Sequence, residues 1–438
     1  MAALRTSGVC ALLAAAVVYP RLVSPHAATS NTVLFDREIV RILNEHCAMC
    51  HFDGGVAVPL VSYEETWLRR TAIHDLVLAR HMAPWAAEPG YGKFANANGL
   101  TLREMRFIVS WVEGLAPRNS GTVFLNVLDP NAAPRGEVAA RTDFDAWQLG
   151  EPDLVVPIVL PAAARVTARD VTPAPTTAIP APNGPGGQLR THVLRTVVDT
   201  AGAGSRLTAL EYRPADRSLL RAVVFSLEGS GQWLATWTPW FGYRQLPEGL
   251  AYALGAGARI AVEVHALMPG PGVGLPGDPN SAGPGLGNAS PDNPLADDLS
   301  LGDLGLHFAA AAGPATSTDA VVVPDIVLTG MAEIPPATRR HGLRAEARLE
   351  RAVDALALWP QLPAGTESLE LSARHPNGKV EILLLARDIP LEWPTSYVYE
   401  TPVPLPSGTV LSLTAQISNL QAAAVAADLR LTISARQH

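Results

Sequence analysis

Cysteine is scarce in this chain: three residues in 438, at Cys10, Cys47 and Cys50. Cys10 falls in an N-terminal segment expected to be removed, which leaves a single pair. If that pair is used in chemistry, no structural disulfide remains, and the fold must be held by its cores. Clustered positive charge is missing too. The formal charge is −8 and no basic stripe occurs, so no nucleic-acid partner is expected. The chain has no useful P-loop, G-x-G-x-x-G or serine-nucleophile motif. It also lacks a long apolar run; a bilayer span needs roughly 20 residues.

The apolar run that does occur is short and lies at the start. Arg5 precedes Val9 to Val18 (VCALLAAAVV), and small residues follow at Ala27, Ala28 and Ser30. This is the pattern of an export signal over residues 1–30, placing the protein in the periplasm or otherwise outside the cytoplasm. The alternative is an uncleaved anchor, the one expected route to a membrane.

At 438 residues the chain is too long for one ordinary core. Residues 31–117 carry helical periodicity, with Phe35, Ile39, Ile42, Leu43 and His46 on one face. Ser62 with Glu65 predicts a capping box opening a second helix, with Trp67, Ile73, Val77 and Leu78 facing inward. Thr101 with Glu104 opens a third, with Leu102, Met105, Ile108, Val109 and Val112 inside and Gly114 at its end. Residues 118–144 read as a linker. Beyond them alternating runs predict strands at Arg259–Leu267, Ser368–Arg374, Val380–Ala386 and Thr409–Ser418. Asn377-Gly378 predicts a tight hairpin between two of these. Pro173–Gly187 and Pro269–Asp298 read as surface insertions. The expected fold is multidomain: a small all-α domain over 31–117, then two β-sandwiches over 145–313 and 314–438.

Cys47-Ala48-Met49-Cys50-His51 is a C-x-x-C-H motif. Two thiols about one helical turn apart can add across two haem vinyl groups, and the next residue aims its imidazole at the iron. A helix running into the motif and an export signal upstream agree with this chemistry. A thioredoxin-like dithiol would begin a helix, and a zinc site would need a second cysteine pair. Haem c, one per chain, is therefore the expected cofactor, with Cys47 and Cys50 as attachment points and His51 as proximal ligand. For the distal position Met82 is the leading candidate, on a loop stiffened by Pro84. His81, His74 and an open site remain as alternatives; Met49 cannot reach, and Met105 belongs to the helix core.

The run MAPWAAEPGYGKFANANGLTLREMRFIVSWVEGLAP resembles the tail of a monohaem cytochrome c domain family. That domain is commonly fused to a copper type II, ascorbate-dependent monooxygenase-like module, similar to peptidylglycine α-hydroxylating monooxygenase. The resemblance implies that Met82 is an iron ligand. It continues through Trp147-Gln148-Leu149-Gly150, Trp233-Leu234-Ala235, Leu246-Pro247-Glu248-Gly249, Trp393 to Tyr397 and Leu405 to Thr409. Such modules hold two coppers with five histidines and a methionine. Here the His-His stretch falls on Leu220-Arg221-Ala222-Val223, and the late His pair on Pro360-Gln361-Leu362-Pro363. No methionine follows Met331, and His265 alone remains of the six ligands. Copper is not expected, and His265 reads first as a strand histidine. His192, His307, His341 and His375 read as surface residues.

The expected function is electron transfer with a redox partner protein, the β part serving as a partner-binding or ligand-binding scaffold rather than an enzyme. A copper-dependent monooxygenase fed by the haem, and a haem-based sensor, are the competing expectations.

Overall fold

The computed structural model describes residues 33–119, 146–160, 169–170, 189–200, 206–218, 220–269, 299–309 and 325–437. The expected signal, the linker beyond residue 119, most of both insertions and the expected junction near 314 lie outside the described residues.

Alternating apolar residues organise the chain from Leu154 onward. The first lobe comprises β1 Leu154–Leu160, β2 Arg169–Asp170, β3 Leu189–Asp199, β4 Arg206–Pro214, β5 Leu220–Leu227, β6 Trp233–Trp237, β7 Tyr243–Gln245, β8 Tyr252–Ala253, β9 Arg259–Pro269 and β10 Leu299–Phe308. These pair antiparallel into two sheets, ordered β1-β10-β4-β7 (with β8 on β4) and β2-β3-β9-β5-β6. Ile158, Leu207, Tyr212, Phe225, Trp237 and Val264 fill the space between them. Ahead of β1, Trp147-Gln148-Leu149 docks on β4: the buried Glu211 carboxylate accepts the N–H groups of Gln148 (2.7 Å) and Leu149 (3.0 Å).

The second lobe comprises β11 Ile326–Ile334, β12 Thr338–Arg348, β13 Val353–Gln361, β14 Thr366–Arg374, β15 Val380–Arg387, β16 Tyr397–Leu405, β17 Val410–Asn419 and β18 Val425–Gln437. Its sheets run β11-β18-β13-β16 and β12-β17-β14-β15. On β17 every second residue is buried, Leu411, Leu413, Ala415 and Ile417, as a half-covered strand requires. Each such leucine contributes about 1.5–3 kcal/mol of burial. The β14–β15 hairpin turns at Asn377-Gly378, with Gly378 at φ 86°.

β13 breaks the alternation, since every residue from Val353 to Pro360 is buried. Both of its faces are covered. One faces its own core; on the other, Trp359 stacks on Trp233 of the first lobe with ring centres 6.1 Å apart, and Leu356 joins the first lobe's core. At this junction Asp325 Oδ2 accepts the Trp233 N–H at 2.9 Å.

The expectation of a separate small all-α domain is not met. Among the described residues 48% lie in strands and 14% in helices. The helices are short: a run over 35–47, then Tyr63–Leu68, Arg70–Leu78 and Leu102–Glu113. Both capping boxes form. Phe35, Ile39, Leu43, Val77, Ile108 and Trp111 make a small core. The second predicted helix breaks at Arg69, and of its expected inner stripe only Val77 is fully buried while Trp67 and Leu78 are exposed.

Residues 86–96 explain why the helical part does not stand alone. Pro89, Gly90 and Gly92 disfavour a helix, and the segment forms none, so its backbone polar groups must pair elsewhere. They pair with the open edges of the second lobe. The Glu88 N–H donates to Leu385 O (2.7 Å) and the Arg387 N–H to Ala86 O (3.0 Å), on β15. The Ala95 N–H donates to Val398 O (2.7 Å) and the Glu400 N–H to Lys93 O (3.0 Å), on β16. Asn96, buried, donates from Nδ2 to Ser396 O at 2.6 Å and accepts the Val398 N–H at 2.9 Å. Phe94 packs on Tyr397 and Tyr399. Gly92 lies so close that a Cβ there would sit 2.8 Å from Leu383 O.

Two outcomes follow. Asn96→Ala strands two buried backbone groups and should cost about 2–4 kcal/mol in urea unfolding. Asp325 gives a pH signature. Burial pushes its carboxyl from an ordinary 3.8 to about 6, against the pull of the Trp233 N–H and of Arg244 and Arg430. The folded state therefore holds this proton more tightly. The stability it contributes is full below 3.8 and is lost as the pH rises through about 6. Asp325→Asn keeps the acceptor and removes the titration. Its melting temperature should match the parent near pH 4 and exceed it increasingly until the gain levels off above about pH 6.

Candidate functional site

The site begins with the helix over 35–47. Its backbone bonds reach five residues back at both ends, including Ala48 N–H to Leu43 O at 2.8 Å, and this wide turn delivers the cysteines. The chain then tightens: the N–H groups of Cys50 and His51 both donate to Cys47 O, at 3.0 and 2.9 Å. Cys47 and Cys50 are thus one turn apart, and both thiols are free. Burial pushes each up to about 12. Glu104 adds to this at Cys47. At Cys50, Arg217 and Arg221 pull back while Cys47 raises it further. Thiols so protonated are poor redox nucleophiles at neutral pH.

His51 Nδ1 lies 2.6 Å from the Val58 carbonyl. A carbonyl only accepts, so Nδ1 carries the proton and Nε2 keeps its lone pair, which is the tautomer a metal ligand needs. Burial holds the imidazole below its ordinary pKa; the Val58 bond opposes this and Arg69 adds to it. The loop returning to Val58 passes so near the motif that a Cβ on Gly55 would sit 2.4 Å from Cys50 O. The N–H groups of Ala57 and Leu60 close it onto Cys50 O and His51 O, at 3.2 and 3.0 Å.

Met82 lies half-buried just past the helix Arg70–Leu78, its N–H reaching Leu76 O at 3.4 Å. Among the described residues it belongs to none of the hydrophobic clusters. Of the rival ligands, His74 is bound to Asp75 (2.9 Å) and His81 is exposed. Met49 is buried, and Met105 packs on the helical core. Val58, Trp67, Leu68 and Leu78 present apolar surface to solvent.

The other side of the motif faces the β lobes. Met49 and Cys50 pack with Trp240 of the first lobe and Trp393 of the second, whose ring centres are 5.9 Å apart. Arg217 Nη2 donates to Met49 O at 3.0 Å, and its guanidinium lies 5.0 Å from the Phe52 ring. Arg221 lies over Trp393 at 5.1 Å. Sequence reasoning missed both arginines. Arg221 drew notice only as a residue standing where a histidine was sought, and nothing in its neighbourhood along the chain announces a contact with Cys50.

His46, just before the motif, forms a second polar group. Its Nε2 is 3.4 Å from Glu104 and 4.0 Å from Glu45. Burial alone would raise Glu104, but the Thr101 donors and His46 outweigh it and hold the carboxylate low. The arrangement ties the end of the first helix to the start of the last.

His265 sits on β9 opposite Ala222 of β5. Its Nε2 meets Glu263 Oε1 at 3.0 Å, and the same carboxylate binds Arg195 at 2.6 Å. The ring is engaged in an ion network, and among the described residues it joins no cluster of three histidine, cysteine or carboxylate ligands. Nor are all the remaining histidines plainly on the surface. The His375 ring is half-buried, 3.4 Å from Glu381, and His307 Nε2 is buried. His341 is half-buried, and the side chain of His192 lies outside those described.

No protein-family model matches the chain, and no curated protein matches it. Among solved structures, it is similar to the N-terminal CBM22-1-CBM22-2 tandem domain of Paenibacillus barcinonensis Xyn10C, at 10% identity over 65% of this chain and 100% of that one, with a TM-score of 0.13. Oxalate decarboxylase from Bacillus subtilis matches at 5% identity over 65% and 78%, with a TM-score of 0.14. Procruciferin, an 11S globulin of Brassica napus, matches at 10% identity over 62% and 85%, with a TM-score of 0.12. Scores this low carry no argument about fold or function, so the chain's own residues must supply it.

Proposed function

We propose that this chain is an exported c-type cytochrome that carries electrons to or from a redox partner protein. Cys47 and Cys50 would hold one haem covalently, with His51 and Met82 as the residues that would bind its iron. The observation that supports this most is the bond from His51 Nδ1 to Val58 O at 2.6 Å, which leaves Nε2 available one residue past two free thiols.

When bound, the haem supplies a one-electron couple whose potential follows from its axial ligands and burial. The chain's residues do the rest. Cys47 and Cys50, one turn apart with free thiols, would hold the haem through two thioether bonds. The Val58 carbonyl fixes the imidazole plane and its tautomer. The β lobes serve as a scaffold that encloses the motif and offers surface to the partner or a ligand.

Copper does not belong to this reading, because the donor set does not fit. Arg221 and Ala222 stand where imidazoles would be needed, Pro360 to Pro363 offer none, and His265 is held by Glu263. Neither monooxygenase chemistry nor gas sensing has an observation here that favours it over electron carriage.

Protein exported by a host competent in haem attachment should give a low-spin haem spectrum in both oxidation states. The weak far-red sulfur-to-iron charge-transfer band should be present in the parent and lost in Met82→Ala. A parent without that band would overturn the Met82 assignment.

A further inference from the structure

Buried charge without a close partner is costly, and here it lies beside the motif. Arg221 is half-buried on β5, with its guanidinium over Trp393 and its Nε buried without an acceptor. No ion pair within 4.0 Å is formed by Arg221 among the described residues; Glu392 lies near enough to act on it only through space. Burial depresses its pKa, and Glu392 and Cys50 pull the other way, which places Cys50 within its field. Trp240, in direct contact with the Cys50 cluster, has a buried Nε1–H that also lacks an acceptor. Arg217 adds a third donor group through its bond to Met49 O. The Cys50 side of the motif is thus lined by N–H donors and positive charge from the first β lobe. The Cys47 side instead faces the Glu104 carboxylate of the helical layer.

We infer that Arg221, with Trp240 beside it, is a potential-setting residue: a β-lobe charge that raises the reduction potential of the haem held at Cys50. This rests on the haem reading and deepens it. A fixed positive charge in a dry site favours the reduced centre, which carries one positive charge fewer, and weak screening there strengthens the effect. The β lobes then tune the redox centre as well as support it. They do so through a group that a free-standing haem domain would lack.

The test is the midpoint potential of haem-loaded, full-length protein. Arg221→Gln keeps most of the packing on Trp393 and removes the charge, so its potential should fall below the parent's. Arg221→Lys should restore it, since the charge returns while the guanidinium plane does not. Trp240→Phe, which keeps an aromatic ring and removes the N–H, should move the potential down by a smaller amount. It also provides a readout if Arg221→Gln loads poorly. Equal potentials in the parent, Arg221→Gln and Trp240→Phe would overturn the inference while leaving the haem reading intact. Equal displacement in the Gln and Lys variants would also overturn it, by showing that packing rather than charge matters. A parent that emerges without haem would overturn the functional reading and this inference together.

Discussion

Backbone groups at the open edges of β15 and β16 need partners, and residues 86–96 supply them. That pairing fixes everything upstream. A short helical layer with a core as small as that around Phe35, Ile39 and Trp111 would bury little on its own, and small units are marginal. Pinned across the mouth of a sandwich, the layer no longer depends on that core alone. Asn96 finishes the join by acting as a short stretch of strand between Ser396 and Val398. The cysteine motif is thereby brought against Trp240 and Trp393, one from each lobe.

From this position follow the electrostatics of the motif. Cys50 is buried and Cys47 partly so; a carboxylate from the last helix acts on Cys47 and two guanidiniums from the first lobe act on Cys50. The imidazole beside the cysteines has its proton placed by Val58. Structural devices hold each piece: Gly55 for the close return of the loop, His46 with Glu104 for the angle between helices, and Arg217 for the Met49 carbonyl. The lobes are joined as firmly to each other, through Trp233 on Trp359 and through Asp325.

Local chemistry was legible in the sequence where it depends on near neighbours. Ser62 with Glu65 and Thr101 with Glu104 cap helices as their spacing requires, and Asn377-Gly378 turns the hairpin. Alternation located β9, β14, β15 and β17 to within a residue or two. What failed depends on distant partners. The helical periodicity over 31–117 says nothing of residues 86–96, where Pro89, Gly90 and Gly92 interrupt any helix and whose backbone completes two sheet edges. An independent all-α domain was therefore expected and is not what forms. Trp67 and Leu78 matched a helical stripe, yet the break at Arg69 turns them outward. β13 looks like any apolar run until the first lobe is seen packed on its far face. Arg221 is opaque for the same reason: its significance lies in a cysteine 171 residues away in the chain.

The central claim is that Cys47 and Cys50 carry a macrocycle through two thioether bonds. The most direct measurement is the mass of the peptide spanning Cys47 to His51, cut from denatured exported protein after acid extraction of loosely held haem. The account predicts a coloured peptide heavier by one haem, in which neither cysteine can be alkylated. A colourless peptide of unmodified mass, with both thiols open to alkylation, would contradict it.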